Sequence, residues 1–136
     1  AGTRLSACWI EDDDVIIDHK AYWAAANSLE EAAYVTAVLN TAVVLDRVRD
    51  LQPVGQRDPR DFDNLVWTLP IPEFDPAEAL HADLANAALI ASDLASRVEL
   101  PEDAHFTTKR RAIRLALEAD GVAQTIERLV DALLPL

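Results

Sequence analysis

Glycine is scarce in this chain: Gly2, Gly55 and Gly121 are its only three. A phosphate-cradling loop needs several glycines in one short turn so that backbone N–H groups can approach the ligand, and no stretch here supplies them. Cys8 is the sole cysteine, which excludes an internal disulfide and points to a reducing compartment. A small thiol in apolar company is expected to be buried and inert. Methionine is absent, at position 1 as elsewhere, so the expectation is a chain that is processed or cut from a longer polypeptide. Cations are sparse too, with 12 Lys and Arg against 24 Asp and Glu, a net charge of −12. A nucleic-acid-binding surface must bring cations to the phosphates and displace counterions. Autonomous DNA binding is therefore disfavoured, and only a local basic patch would support it. No apolar run approaches the ~20 residues that span a bilayer, and no charged-then-apolar leader opens the sequence. The expectation is a cytoplasmic protein without membrane contact.

What is present is enough for one domain. The 136 residues, 51% of them hydrophobic, can bury a core unaided. The stretch from Ser28 to Leu51 organises the rest. Ser28 and Glu31 have the spacing of a capping box ahead of an apolar run. Between Ala32 and Leu45 only Tyr34, Thr36, Asn40 and Thr41 carry a polar atom. A helix apolar on all sides needs neighbours around most of its circumference, so 28–51 is expected to be the central, buried helix. Asn40 inside it must find partners, since an unpaired buried amide costs about 1–3 kcal/mol. Its expected role is structural: holding a neighbouring loop or strand in register.

Before that helix, Leu5–Ile10 and Val15–Ile17 are short and rich in β-formers, with Glu11–Asp14 between them. This suggests a hairpin, with Ala21–Ala26 as a third strand: a small antiparallel sheet over 1–27. Consecutive carboxylates at Asp12, Asp13 and Asp14 point apart, which favours a solvated turn over a metal site. After the helix, 52–64 has loop chemistry, with Arg57 and Arg60 as long cations that either pair with the loop's aspartates or meet a phosphate backbone. Pro70 and Pro72 push Leu69 and Ile71 into extended geometry, so Leu65–Phe74 is expected to be a strap offering Trp67, Leu69, Ile71 and Phe74 for packing. Asp75-Pro76-Ala77-Glu78 marks a helix start. From it Leu80, Leu84, Ala87, Ala91, Leu94 and Val98 recur at steps of four and three, a coiled-coil-like seam open to self-association. Two more helices follow, over about 105–119 and from Val122 onward, divided by Gly121. Lys109, Arg110, Arg111 and Arg114 form the one dense basic cluster, either a solvated face or a phosphate contact. The predicted class is α+β, mainly α. A short N-terminal sheet packs on a central helix, then come the loop and strap of 52–75 and a helical part over 76–136.

Reaction chemistry has no visible seat. His19, His81 and His105 lie far apart without metal-ligand spacing, and neither a nucleophile elbow nor a paired-carboxylate signature occurs. His81, in a first helical turn, is expected to be a neutral ring bonded to a loop.

Three pieces in order carry a family likeness: EEAAYVTAVLNT at 30–41, Gly55–Arg57, and LPIPEFDP at 69–76. Together they resemble the region after the catalytic domain in bacterial adenine-N6 DNA methyltransferases of restriction–modification and phage-defence systems. There a short sheet leads to a helix with an L-N-S/T element, then a loop, an "IPIP" strap and more helices. The likeness covers about 15–95. It places Asn40, Pro70 and Pro72 in structural positions. The family binds S-adenosylmethionine at a Gly-containing motif and holds the flipped adenine with an Asn/Asp-Pro-Pro-Tyr/Phe loop. Neither is present, for Asn64 precedes Leu65 and Asp58-Pro59 is followed by Arg60. The resemblance therefore implies a non-catalytic C-terminal piece with no cofactor of its own, whose parent chain uses S-adenosylmethionine. Its partners would be that parent's catalytic domain and, through it, DNA, with Lys20, Arg57, Arg60, Lys109, Arg110, Arg111 and Arg114 as candidate contacts. The alternative class is a helical assembly module without nucleic-acid contact.

Overall fold

Ser28 starts the first helix as its spacing requires. Its hydroxyl accepts the Glu31 N–H at 3.1 Å, and the Glu31 carboxylate reaches back to the Asn27 N–H. In the computed structural model, which describes residues 4–52 and 65–135, this helix (α1) runs Leu29–Leu39 and stops. The single helix expected over 28–51 is two. Thr41 adopts φ −92° and ψ 153°, and its hydroxyl donates to the Val38 carbonyl at 2.8 Å. The same oxygen accepts from Val44 N–H at 3.4 Å and caps a second helix (α2), Ala42–Leu51. Asn and Thr side chains compete with the backbone for its own hydrogen bonds, and two in succession end the helix.

The chain continues with a 3-10 turn at Leu65–Thr68 and three α-helices: α3 (Ala79–Ser96), α4 (Phe106–Asp120) and α5 (Val122–Leu133). Gly121 stands between α4 and α5 at φ 97°, closing α4 through its N–H to the Leu117 and Glu118 carbonyls at 3.2 Å. A β-carbon there would touch nothing within 4 Å, so the backbone angle and not space calls for glycine. Asp75 does not cap α3. It turns the chain before it, accepting from Ala77 N–H at 2.9 Å, and the helix begins only after Glu78.

α1 packs chiefly on α3, which also meets α4 and α5. One buried cluster joins Ala33, Tyr34, Ala37 and Val38 of α1, Val44 and Val48 of α2, Leu84, Ala85 and Ala88 of α3, and Val130, Leu133 and Leu134. Small alanines at the α1–α3 crossing let the helices approach closely. Polar links close the edges: Glu127 accepts the otherwise unpaired Ala42 N–H at 2.7 Å, and Arg47 donates to the Leu134 carbonyl.

The expected sheet is absent. Every regular element among the described residues is helical. Leu5, Ala7 and Trp9 do lie on the core, alternating with exposed Arg4, Ser6, Cys8 and Ile10, the two-residue period of an extended chain. Its partner, however, is one side chain. Asn40 accepts from the Ala7 N–H at 2.9 Å and donates to the Ala7 carbonyl at 2.8 Å and the Thr36 carbonyl at 3.0 Å. A side-chain amide imitates a single peptide group, so it holds one residue and cannot propagate a ladder. The same alternation turns Cys8 outward, against the expectation of a buried thiol. Val15–Ile17 forms no strand because three consecutive apolar residues need cover on both faces, and the described residues leave Ile16 95% exposed. The acidic stretch does turn, with Asp12 accepting from Asp14 N–H at 2.9 Å. Residues 21–26 are exposed and irregular rather than a third strand.

Asn40→Ala deletes both bonds to Ala7. Asn40 is exposed rather than buried, so the loss is that of ordinary hydrogen bonds, about 1 kcal/mol, read as a lower melting temperature, with Trp9 fluorescence shifting toward that of a hydrated indole. An unchanged melting temperature would show that the amide does not anchor the segment.

Candidate functional site

The strongest constellation in the fold is aromatic and structural. Tyr34 on α1 is fully buried, and its hydroxyl donates to the Pro72 carbonyl at 2.8 Å. Its ring lies 5.4 Å from that of Phe74 and 4.9 Å from that of His81. His81, in the first turn of α3, accepts the Asp75 N–H on Nδ1 at 3.0 Å, which puts the proton of the neutral ring on Nε2. The strap therefore crosses α1 and α3 where they meet. Leu69, Ile71 and Phe74 pack inward as their spacing requires, whereas Leu65–Thr68 winds into the 3-10 turn and leaves Trp67 47% exposed. Pro70 and Pro72 hold the strap extended and are themselves exposed. The Tyr34 hydroxyl and His81 Nδ1 are both engaged in hydrogen bonds that hold the strap.

Burial pushes the Tyr34 hydroxyl from its usual 10.0 up to about 12. A raised acid of this kind contributes stability that is full below the unfolded value and lost as pH rises through the folded one. Two units correspond to about 2–3 kcal/mol.

The candidate cations fall into separate places. Arg57 and Arg60 lie outside the described residues. Lys20 sits in the acidic N-terminal segment, where its N–H bonds to the Asp18 carboxylate at 2.8 Å. On α4, Lys109 is half-buried and turned to the preceding loop, with Nζ donating to the Glu102 carbonyl at 3.2 Å. Arg110, Arg111 and Arg114 are exposed together on the outer face of the same helix. Among the described residues no ion pair engages them; the close pairs run from Arg49 to Asp46 at 3.9 Å, from Arg97 to Asp93, and from His19 to Asp18. Three of the seven candidates are thus brought onto one surface.

The seam of α3 is not free. Leu84 and Ala87 are buried and Leu80, Ala91 and Leu94 half-buried, α3 being packed by α1, α4 and α5; Val98, also half-buried, lies beyond the end of the helix at Ser96. Ile90 is the one large apolar residue that α3 exposes. Beside it an open groove of ≈510 Å³ runs between α3 and the α4–α5 elbow, lined among others by Asp83, Asn86, Asp120 and Arg128. No group of three or more His, Cys, Asp or Glu converges as a metal set among the described residues, and no helix there is long and apolar enough to cross a membrane.

Sequence reasoning missed one feature outright. Ile10, Val15, Ile16, Ile17 and Trp23 are all exposed, Ile16 at 95%. The signal is an apolar triplet fenced by carboxylates, Val15–Ile17 between Glu11–Asp14 and Asp18.

Tyr34→Phe keeps the ring and removes the titration. Wild type should lose about 2–3 kcal/mol of stability between pH 10 and 12, measured by denaturant unfolding, and the variant should lack that step. An identical pH dependence would refute the buried hydroxyl as its source.

No family model, curated protein or solved structure matches the chain.

Proposed function

We propose that the chain is a non-catalytic module of an S-adenosylmethionine-dependent adenine-N6 DNA methyltransferase of the restriction–modification or phage-defence kind. It supports DNA recognition or packing between domains. One observation carries the reading. Two of the three stretches that bear the family likeness interlock, since Tyr34 within residues 30–41 bonds the carbonyl of Pro72 within 69–76 and packs on Phe74. The L-N-T element anchors a third segment through Asn40 and Ala7. The remaining stretch, Gly55–Arg57, lies outside the described residues.

In this role the parent's catalytic domain binds the cofactor and extracts the adenine from the duplex. This chain packs beside it and offers Arg110, Arg111 and Arg114 to the phosphates. The runner-up, an assembly module without nucleic-acid contact, draws on the exposed apolar residues of the N-terminal segment. The Leu80–Val98 seam gives it little support, being covered within the chain.

Fluorescence anisotropy with a labelled DNA duplex separates the two. The chain alone should bind weakly, and log Kd should vary with log salt with a slope of about 2–3, for as many phosphates. The triple variant Arg110→Glu, Arg111→Glu, Arg114→Glu should abolish binding without lowering the melting temperature. Tight, sequence-selective binding by the isolated chain would overturn the supporting role. Weak binding that survives the triple change would overturn the choice of face.

A further inference from the structure

We propose that the segment Ile10–Trp23 is a docking strip for a protein partner, taking an exposed sheet edge whose flanks carry lysine or arginine. The inference stands apart from the methyltransferase reading and rests on three features of the strip.

The first is an unused backbone. Among the described residues no hydrogen bond is made by the N–H or carbonyl groups of Val15, Ile16 or Ile17. β-branched residues are already restricted toward extended conformations, so little freedom is lost when a partner strand pairs with them. Main-chain bonds of this kind are how an extended segment joins an open sheet.

The second is the arrangement of side chains. Val15, Ile17 and Trp23 line a shallow recess of ≈300 Å³, while Ile16 stands 95% exposed. The strip thus offers a recess for an apolar side chain and a second apolar surface that water covers only at a cost.

The third is charge. Glu11, Asp12, Asp13 and Asp14 precede the triplet and Asp18 follows it, all exposed. The turns in which Asp12 accepts from Asp14 N–H and Asp18 from Lys20 N–H order both ends. Five carboxylates stand there against His19 and Lys20. Such a fence repels a phosphate backbone or an anionic bilayer and selects a cationic protein rim. The occupant is therefore a basic sheet edge.

The test uses the whole chain and a synthetic octapeptide with alternating valine and threonine in the middle and two lysines at each end. A second octapeptide has glutamates in place of the lysines. The lysine peptide should bind with a micromolar Kd at low salt, and salt should weaken it. Amide exchange should slow at Val15, Ile16 and Ile17 on binding. Ile16→Pro, in a segment outside the core, should reduce affinity about tenfold or more by removing a ladder donor. Asp13→Lys with Asp14→Lys should exchange the preference, losing the lysine peptide and gaining the glutamate one. Equal binding of both peptides by wild type, no binding of either, or protection confined to other elements would overturn the proposal. So would preferential binding to phosphatidylserine vesicles or to duplex DNA at the same strip.

Discussion

A phenolic hydroxyl with no access to water must find an acceptor inside the protein, and Tyr34 finds it on Pro72. That bond ties α1 to a strap whose one regular element is the 3-10 turn at Leu65–Thr68. Beside it the rings of Phe74 and His81 meet that of Tyr34, with centroids 5.4 and 4.9 Å away. His81 then completes the corner by accepting the Asp75 N–H. The α1–α3 pair carries the rest: α5 lies on α3, α2 turns off α1 at Asn40 and Thr41, and the extended N-terminal segment hangs from the Asn40 amide. Had the strap lacked prolines, it would have been freer to form other hydrogen bonds, and the acceptor would be less firmly placed.

Helix positions were legible where the signal was local. Ser28 with Glu31 marked the start of α1, Gly121 the break between α4 and α5, and the steps of four and three the inner face of α3. The failures share a cause, which is that the deciding partner lies far away in sequence. The break at Asn40 and Thr41 is hidden because apolar residues continue on both sides. Only the bond from Asn40 to Ala7, 33 positions away, shows what the amide is for. The sheet failed for the same reason. Val15–Ile17 has strand propensity, but propensity without a paired neighbour makes no strand. At the start of α3, Asp75 had the right residue type yet spent its carboxylate on a turn, delaying the helix to Ala79. Density in sequence grouped Lys109 with Arg110, Arg111 and Arg114, and the three arginines are exposed on α4. It did not foresee that Lys109 would bend back to Glu102.

These features describe a scaffold with two outward-facing surfaces of opposite character. α4 presents arginines, and the N-terminal segment presents apolar residues among carboxylates. Neither is required by the core, because the buried cluster is complete without them. Surface that the fold does not need, carried on elements that the fold positions, suits a module whose work is done against neighbours. With a net charge of −12, the exposed arginines of α4 are a local exception on an acidic surface.

Native-state amide hydrogen exchange on the whole chain tests the central claim most directly. The account predicts the slowest exchange, near the global unfolding free energy, in α1 and α3 around Tyr34, Val38, Leu84 and Ala88, with rapid exchange throughout 10–26. Slow exchange across Val15–Ile17 in the free protein, or fast exchange at the α1–α3 crossing, would contradict it.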